Sequence, residues 1–319
     1  MKIHSLIYTS LEHPGPATKK DVELLSEAAK KLGHELEIIS ALDCQLKFTK
    51  KPEVLIKNKK PSGINVLLVR ANFLTGSLDF HSGLIKQFEL MGIPIINKHL
   101  PVLRAKNKQR SLQTLSRHNI PMPKTYIIRS PEYVDDVVKD IGSFPVIIKT
   151  IAGSHGLGVS IVESARGLKS LVSMIVNDRN AAPLIVQEYI RESKGKDIRV
   201  FILGKRIIGA MERIATKRGE FRSNFHLGGR VRVAEMSRKE KDVAFAAVEA
   251  CGLEMAGVDI LRTKTGPKVL EVNANPGLEG ITLATGRDVA GEIIKYTVKK
   301  ARRYQRRKEN GSGKKRNKK

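Results

Sequence analysis

Cysteine, tryptophan and long apolar runs are scarce or missing in this chain of 319 residues, which has two cysteines and no tryptophan. Cys44 and Cys251 are too few and too far apart in sequence to indicate a disulfide framework or a zinc site. No apolar stretch approaches the roughly 20 residues that span a bilayer. Aromatic residues make up only 5% of the chain, which argues against an aromatic platform for stacking single-stranded nucleic acid.

Acidic residues are also few relative to basic ones, with 32 Asp and Glu against 58 Lys and Arg and a formal net charge of +26. An excess of this size predicts an acidic partner, such as nucleic acid, an anionic protein tail or a polyphosphate. The first residues lack the length and cleavage pattern of a secretory signal. We therefore expect a cytoplasmic protein with no membrane partner.

The first third of the chain alternates strand and helix patterns. Apolar residues recur at helical spacing from Thr18 to Leu32, and Gly33 follows as a C-terminal cap. Strands are predicted near 2–8, 35–39, 66–70 and 93–97, with a second helix near 82–91. This alternation predicts an α/β unit with a mainly parallel sheet.

Two basic segments follow different patterns. Residues 100–120 are predicted to form one helix, which Pro121 and Pro123 end. From Lys299 onward, runs of Lys and Arg surround Gly311 and Gly313. Such a composition cannot bury a core, so residues 299–319 are predicted to form a disordered or fraying tail.

A strand that ends in Glu271 and Asn273 is the most informative feature that is present. Side chains two residues apart on a strand share one face, so the two present oxygen ligands side by side. Asp259, on a neighbouring strand of a hairpin that turns at 264–266, supplies a third oxygen. Hard cations such as Mg²⁺ prefer these ligands. The alternative is that the acids are edge charges on a solvated hairpin.

A glycine-rich segment follows the strand that ends in Lys149. Backbone amides around Gly153, Ser154, Gly156 and Gly158 could approach phosphate oxygens, with Lys149 as a point charge. The pattern lacks Walker-loop spacing and could be a glycine-rich hairpin instead. Combined with the cation ligands downstream, it favours a nucleoside triphosphate site.

Two further segments carry polar residues of interest. The apolar run 184–190 could hydrogen-bond an adenine edge through its backbone, and Asp197 after it could accept from ribose hydroxyls, unless it is an ordinary turn carboxylate. Residues 212–230 gather Arg213, Arg222 and Asn224, and guanidinium groups suit a transferring phosphoryl group or an acyl phosphate. Taken singly, each arginine could be a solvated charge.

Together these segments resemble the ATP-grasp superfamily and, within it, the RimK-like ligases that add glutamate to the C-terminus of a small-subunit ribosomal protein. The likeness runs in order from near Met1 to about Lys299. Its most specific parts are Arg-Ser-Asn-Phe-His-Leu-Gly-Gly at 222–229 and Asn-Pro-Gly-Leu-Glu-Gly-Ile at 275–281. The other matching parts are 146–149, 153–159, 187–190, 197–199, 256–261 and 271–274.

The resemblance implies an ATP-grasp fold of the α/β (α+β) class with ATP between two antiparallel sheets. The domains would be 1–98 (pre-ATP-grasp), 99–185 (central, with the glycine-rich loop), 186–298 (C-terminal, with the metal site) and 299–319 (the basic tail). Asp259, Glu271 and Asn273 would bind two Mg²⁺ ions, with Mn²⁺ as the alternative metal. The nucleotide-binding residues would be Lys108, Lys149, Gly153, Ser154, Gly156, Gly158, Glu188, Tyr189, Asp197, Arg222, Ser223 and Asn224.

The implied reaction is an ADP-forming ligation through an acyl phosphate, with ATP, glutamate and an acidic ribosomal-protein C-terminus as partners. Arg213 is the candidate for holding the acyl phosphate, with Arg222 and Asn224 as further catalytic candidates. A homo-oligomer is expected. The basic tail is foreign to the better-known members; it could contact ribosomal RNA, tether the acidic product or aid solubility. The alternatives are a ligase acting on a small-molecule cofactor or an amino-acid carrier protein, and an RNA-associated protein without ligase activity.

Overall fold

The computed structural model describes residues 1–72, 78–151, 158–176, 182–216 and 229–316. Three α/β units follow one another along the chain, each built around its own main sheet. Within the described ranges, no helix is both long and apolar enough to cross a membrane.

The first unit contains a parallel sheet, as the alternation of strand and helix patterns predicted. Its elements are β1 (Lys2–Ile7), α1 (Pro16–Lys31), β2 (Glu35–Ser40), β3 (Cys44–Phe48), β4 (Pro52–Ile56), β5 (Leu67–Val69), α2 (Leu78–Leu90) and β6 (Ile95–Ile96). The parallel strands lie in the order β2-β1-β5-β6, while β3 and β4 form a separate hairpin. The chain reverses direction across the sheet between β1 and β5, so the carboxyl ends of these two strands border the crevice where α/β sheets commonly bind ligands.

The central unit is built around an antiparallel sheet in the order β7-β10-β8-β9. Its elements are α3 (His99–Lys106), α4 (Lys108–Arg117), β7 (Thr125–Ile128), α5 (Val134–Ile141), β8 (Val146–Thr150), β9 (Val159–Val162), α6 (Ala165–Val176) and β10 (Leu184–Glu188). Buried side chains such as Val134, Val146, Leu168 and Leu184 form a hydrophobic core of its own. The glycine-rich segment connects β8 to β9.

The third unit contains a five-stranded antiparallel sheet in the order β13-β12-β11-β14-β15. Its elements are β11 (Lys196–Leu203), β12 (Arg206–Ile214), β13 (Arg230–Val233), α7 (Arg238–Cys251), β14 (Met255–Thr263), β15 (Gly266–Asn273), α8 (Glu279–Thr285) and α9 (Val289–Arg316). β14 and β15 form the hairpin predicted from the sequence. This sheet shares hydrophobic cores with the first unit, and α3 and α4 of the central unit contribute Val102 and Leu115 to one of them.

Asn97 joins the first and third units through hydrogen bonds to backbone groups. The side chain is 1% exposed, and its Nδ2 donates to the carbonyls of Met255 (2.7 Å) and Ala274 (3.1 Å). Its Oδ1 accepts from the amides of Glu254 (2.8 Å) and Met255 (3.0 Å). These bonds fix the start of β14 and Ala274. They therefore hold the backbone beside the predicted cation ligand Asn273 in place.

Two local predictions need correction. The segment predicted as one helix over 100–120 is two helices, because Asn107 interrupts the helical backbone and its Oδ1 caps α4 by accepting from the amide of Arg110 at 3.0 Å. The segment expected to be a disordered tail from Lys299 instead continues α9 to Arg316. Ala301 is fully buried, and Lys300 Nζ donates to the Ile95 carbonyl at 2.8 Å, so contacts with the first unit stabilise this part of the helix.

Candidate active site

The strand register of the third sheet places the predicted metal ligands on one face. Asp259 lies directly opposite Glu271, and Arg199 lies opposite Asp259 on its other side. Asp197, two residues before Arg199, lies opposite Arg213. Because residues two apart on a strand point the same way, these five side chains share one face of the sheet. Asn273 joins them two residues after Glu271.

Arginines and aspartates on this face form a connected network of ion pairs. Arg199 donates from Nε and Nη2 to the two carboxylate oxygens of Asp259, the second at 2.7 Å. Arg213 donates from Nε to Asp197 Oδ1 at 2.8 Å and from Nη2 to Asp197 Oδ2. The same Nη2 donates to Asp259 Oδ2 at 2.6 Å. Arg213 therefore bridges two carboxylates that would otherwise repel each other.

Burial and pairing together set the protonation of this network. Burial opposes ionisation of Asp259, but the charges of Arg199 and Arg213 outweigh it and lower the pKa of Asp259 to about 2. Burial likewise lowers the pKa of Arg213, yet Asp259 and Asp197 together raise it above its ordinary value. Both groups are therefore charged across the physiological range.

Three lysines of the central unit lie within electrostatic reach of Glu271. Lys106 ends α3, Lys108 begins α4 and Lys149 is on β8. Burial lowers the pKa of Lys106 and of Lys149 to about 8, although the charge of Glu271 opposes the shift. The pKa of Lys108 is lowered for the same reason. Glu271 therefore lies near two sets of groups. One is the lysine group (Lys106, Lys108 and Lys149), and the other is the set of oxygen ligands on its own sheet.

Hydrogen bonds orient the lysine group. Lys149 Nζ donates to Gln187 Oε1 at 3.0 Å, and Gln187 Nε2 donates to Thr125 Oγ1 at 2.7 Å. Lys108 Nζ donates to the carbonyl of Ile151 at 3.4 Å. Gly158 has a φ of +73°, and a Cβ there would lie 3.1 Å from Thr150 Oγ1, so a side chain at this position would be strained.

The predicted adenine contacts lie where β10 ends. The amide of Glu188 donates to the carbonyl of Lys124 at 2.8 Å. The Glu188 carboxylate accepts from Lys268 Nζ at 2.9 Å and from the Lys124 amide at 3.0 Å. These bonds tie the end of β10 to Lys268 on β15 of the third sheet, and Tyr189 is the next residue in the sequence. Asp197, predicted to bind ribose, is 5% exposed and already pairs with Arg213.

The donor set of Asp259, Glu271 and Asn273 fits a hard cation such as Mg²⁺. A carboxylate oxygen offers two lone pairs, and Asp259 Oδ1 accepts a hydrogen bond from Arg199 Nε. Glu271 is exposed, and Asn273 Oδ1 accepts from the amide of Asn275 at 2.9 Å. Among the described residues, no group of three His, Cys, Asp or Glu could hold a metal. The predicted set has two carboxylates, and its third ligand is the carboxamide of Asn273.

Several predicted site residues lie outside the described ranges. They are Gly153, Ser154 and Gly156 of the glycine-rich segment and Arg222, Ser223 and Asn224. The structure brings together Lys108, Lys149, Asp197, Arg213, Asp259, Glu271 and Asn273. The sequence patterns did not single out Lys106, and they indicated Arg199 only as part of a matching motif, without a role. The spacing of Asp197 and Arg199, two residues apart on a strand, was the signal that would have identified Arg199.

Two family models match this chain. Residues 105–297 match the RimK-like ATP-grasp domain, and residues 17–100 match the RimK pre-ATP-grasp domain. The chain is 40% identical over 280 residues to a probable alpha-L-glutamate ligase 2 of Pseudoalteromonas atlantica. The alignment covers 87% of this chain and 91% of that relative.

Solved structures with the same fold are more distant in sequence. The ATP-grasp ligase PsnB, complexed with a minimal precursor, Mg and ADP, superposes with a TM-score of 0.70 at 18% identity, covering 94% of this chain and 98% of that one. The D-alanine–D-alanine ligase of Bacillus anthracis, complexed with ATP, has a TM-score of 0.69 at 17% identity, covering 97% and 99%. At these identities the likeness concerns the fold alone.

Proposed function

This chain belongs to the RimK-like ATP-grasp family of ATP-dependent ligases, and we propose that it adds glutamate to the C-terminus of a small-subunit ribosomal protein. The observation that carries the proposal is the position of Glu271. It lies opposite Asp259 on the sheet and within electrostatic reach of Lys106, Lys108 and Lys149. The carboxylate of Glu271 is therefore close both to the proposed cation ligands and to the lysine group, which would bind phosphate.

The proposed reaction has two steps. An oxygen of the acceptor carboxylate attacks the γ-phosphorus of ATP, the bond to the β,γ-bridging oxygen breaks, and ADP leaves. The amine of glutamate then attacks the carbonyl of the acyl phosphate; an amide forms, phosphate leaves, and the amine releases a proton. When bound, Mg²⁺ neutralises negative charge on the phosphates. The lysine group supplies further positive charge where the transferring phosphoryl group lies.

Each predicted residue has a place in this proposal. Lys108 and Lys149 would bind phosphates, the backbone of Glu188 and Tyr189 would bind adenine, and Asp197 would bind ribose. Arg213 would position Asp259 and hold the acyl phosphate. Two metal ions would share Glu271. The remaining predicted contacts, on segments outside the described ranges or beside them, are Gly153, Ser154, Gly156, Gly158, Arg222, Ser223 and Asn224.

The charge of the chain supports an acidic acceptor. Each cycle would lengthen the acceptor by one residue that carries a carboxylate, and a net charge of +26 would attract such a product. The relative from Pseudoalteromonas atlantica is named as a probable alpha-L-glutamate ligase 2, which supports glutamate as the incoming amino acid.

The function is tested by incubating the purified protein with ATP, Mg²⁺, glutamate and candidate acceptors. These are small-subunit ribosomal proteins, small-molecule acids and an amino-acid carrier protein. ADP release is measured first, and then the acceptor is weighed by mass spectrometry. We expect glutamyl additions at the C-terminus of one ribosomal protein. Additions to a small molecule or to the carrier protein alone would contradict the proposed acceptor.

The exposed end of α9 is proposed to contact ribosomal RNA. Arg302, Arg303, Arg306, Arg307 and Lys308 are all exposed on it. Ala301 is buried, and Gln305 Nε2 donates to Asn65 Oδ1 at 3.1 Å. A truncation that spares the fold should therefore follow Gln305 rather than Val298, the last residue before the predicted tail. This truncation removes eight basic residues and one acid.

We expect the truncated protein to bind ATP normally and to bind ribosomal particles less tightly at low salt, since contacts with phosphates weaken steeply as salt increases. Equal particle binding by both forms across a salt series would exclude an RNA contact by residues 306–319. A cytoplasmic location and a homo-oligomer complete the proposal, and sedimentation of the purified protein tests the latter.

A further inference from the structure

Arg70 is a buried cation next to the candidate active site that the proposed chemistry does not use. It follows β5 at the carboxyl edge of the parallel sheet and is 2% exposed. Its amide donates to the carbonyl of Leu6 at 2.8 Å, which ties it to the end of β1. Arg70 therefore borders the crevice between β1 and β5, where the strand order of the sheet reverses.

Only part of the Arg70 guanidinium is used within the described residues. Nη2 donates to Asp21 Oδ2 and, at 2.9 Å, to the carbonyl of Pro276. Nε and Nη1 are buried and have no hydrogen-bond partner there. A guanidinium has five N–H donors, so the one on Nε and the two on Nη1 remain available.

Fold stability does not explain an arginine with three such donors. A buried donor without a partner destabilises the folded state. Replacing a buried ion pair with apolar residues of similar size is often neutral or stabilising. Asp21 already balances the charge of Arg70, and its other oxygen accepts from the amide of Leu278 at 2.9 Å. The unused donors are therefore better explained by a ligand than by packing.

The loop that Arg70 contacts also carries an unused acceptor. Asn275 Oδ1 is buried and has no partner within the described part of the chain. Asn275 immediately precedes Pro276, whose carbonyl Arg70 contacts, and follows Asn273 by two residues. Donors of a cation and an acceptor oxygen thus lie on adjoining segments, close to a predicted metal ligand. This combination complements the carboxylate and the amine of an α-amino acid.

We propose that Arg70 and Asn275 form the subsite for the incoming amino acid, with its α-carboxylate on Arg70 and its amine on Asn275 Oδ1. The proposal rests on the proposed function, because it takes glutamate as the amino acid. Arg70 is on the first unit and Asn275 is on the third, so the two units would bind this substrate together. The amine would lie beside the residues that bind the phosphates and the metal.

The test compares Arg70→Lys with the wild-type protein, using glutamate and its α-amide, isoglutamine. The lysine keeps the charge beside Asp21 but loses the fork of the guanidinium. A hydrogen bond to a charged group contributes about 1.5–3 kcal/mol, so we expect the KM for glutamate to rise roughly 10- to 150-fold. The KM values for ATP and for the acceptor should stay within about twofold. The wild-type protein should bind isoglutamine more weakly than glutamate. In the variant the two compounds should differ little, because the α-amide and the lysine each remove the same contact.

Two controls separate this role from a structural one. Asp21→Asn breaks the ion pair with Arg70 but keeps the guanidinium, so it should lower the melting temperature at least as much as Arg70→Lys while raising the KM for glutamate less. Asn275→Ala should raise the KM for glutamate and leave that for ATP unchanged. A folded Arg70→Lys protein whose KM for glutamate stays within twofold of wild type would overturn the subsite.

The outcomes also separate the subsite from the proposed function. If the wild-type protein ligates a different amino acid, glutamate is the wrong substrate, and the same comparison is made with that amino acid and its α-amide. If Arg70→Lys raises only the KM for the acceptor, the carboxylate on Arg70 belongs to the acceptor, and the assignment to the incoming amino acid is wrong.

Discussion

Two groups of basic side chains at the candidate active site differ in how their positive charge is stabilised. Arg199 and Arg213 pair with Asp197 and Asp259 through direct hydrogen bonds, and the pKa of Asp259 is held at about 2 against burial. In the lysine group burial prevails over the attraction of Glu271, so the pKa values of Lys106 and Lys149 lie near 8.

The difference indicates what each group is prepared for. The arginine network is complete within the protein and serves to hold the carboxylates in place. The lysine group has buried positive charge that Glu271 does not stabilise fully, and an anionic ligand would stabilise it. A triphosphate is such a ligand, which is why the phosphates of ATP are expected at the lysines, while the proposed contact of Arg213 is with the acyl phosphate.

The largest test of this comparison is Arg213→Met. The change removes the two hydrogen bonds from Arg213 to Asp197 and takes one of two arginines from Asp259, and both carboxylates are buried. Breaking a buried ion pair from one side costs about 3–5 kcal/mol, so we expect a large fall in the free energy of unfolding, measured by urea denaturation.

Arg238→Met is the matched control. Arg238 pairs with Asp242 one turn later on α7, and the two side chains are 95% and 68% exposed. Exposed ion pairs contribute about 0–1 kcal/mol. If the two variants were equally stable, the arginine network would not hold the site together.

Glu271→Gln tests the carboxylate that the two groups share. It keeps the shape of the side chain but removes the charge that the lysines and a cation would use. We expect the rate of ADP release in the presence of an acceptor to fall about 100- to 1000-fold, as for other losses of charge stabilisation in a transition state. Glu249→Gln, on the exposed side of α7, should be unaffected; near-normal turnover by Glu271→Gln would remove the metal assignment.

The lysine group predicts how ATP affinity depends on pH. Lys149 is protonated below its pKa of about 8 and loses its charge above it. ATP affinity should therefore be highest below pH 8 and weaken about tenfold as the pH rises toward 10, since one charge-assisted contact contributes about 1.5 kcal/mol. Because a bound phosphate favours the charged lysine, the transition should occur above pH 8 in the complex.

Titration calorimetry at several pH values measures this effect. Lys149→Met should bind ATP more weakly and with a flatter pH profile. Lys169→Met, whose side chain on α6 is 45% exposed, should follow the wild-type curve. Identical profiles for Lys149→Met and the wild-type protein would show that Lys149 does not bind phosphate.

Arg199→Lys should have the smallest effect. The lysine keeps a charge near Asp259 but makes fewer hydrogen bonds, at a cost of about 1 kcal/mol. In the wild-type protein the pairing of Asp259 stabilises the fold fully above its ordinary pKa of 3.8 and is lost as the pH falls toward 2. In the variant the loss should begin at a higher pH, and acid unfolding followed by circular dichroism would detect it. Coincident curves would mean that Arg213 alone holds Asp259.

Local patterns in the sequence predicted much of the fold. Alternating apolar residues located the hairpin of β14 and β15, and helical spacing from Thr18 to Leu32 predicted α1, which spans Pro16–Lys31. The single helix expected over 100–120 was wrong because Asn107 caps a second helix. The tail expected from Lys299 was wrong because Ala301 and Lys300 contact a unit that lies some 200 residues earlier in the chain.

The residues of the candidate site divide in the same way, into those that local patterns predicted and those that only contacts between distant parts of the chain revealed. Spacing of two residues on a strand put Glu271 and Asn273 on one face. The strand before the glycine-rich segment singled out Lys149, and resemblance to a family supplied Lys108. Lys106 was missed because its distance from Glu271 depends on how the central unit lies against the third sheet. Arg70 carried no local signal, since it contacts Pro276 across 206 positions of the sequence. Asn275 was matched only as part of a family motif, without a role of its own.

The sequence by itself determined which oxygen ligands share a strand face, that the chain is strongly basic, and which family it resembles, because periodicity, charge and motif order are local properties of a chain. Only the tertiary structure decided which charges compensate each other. Strand register brought Arg213 between two aspartates, and the packing of the first unit on the third left three donors of Arg70 buried beside the predicted cation ligands. Pairing depends on distance in space, and residues that are far apart in sequence acquire that distance only when the chain folds.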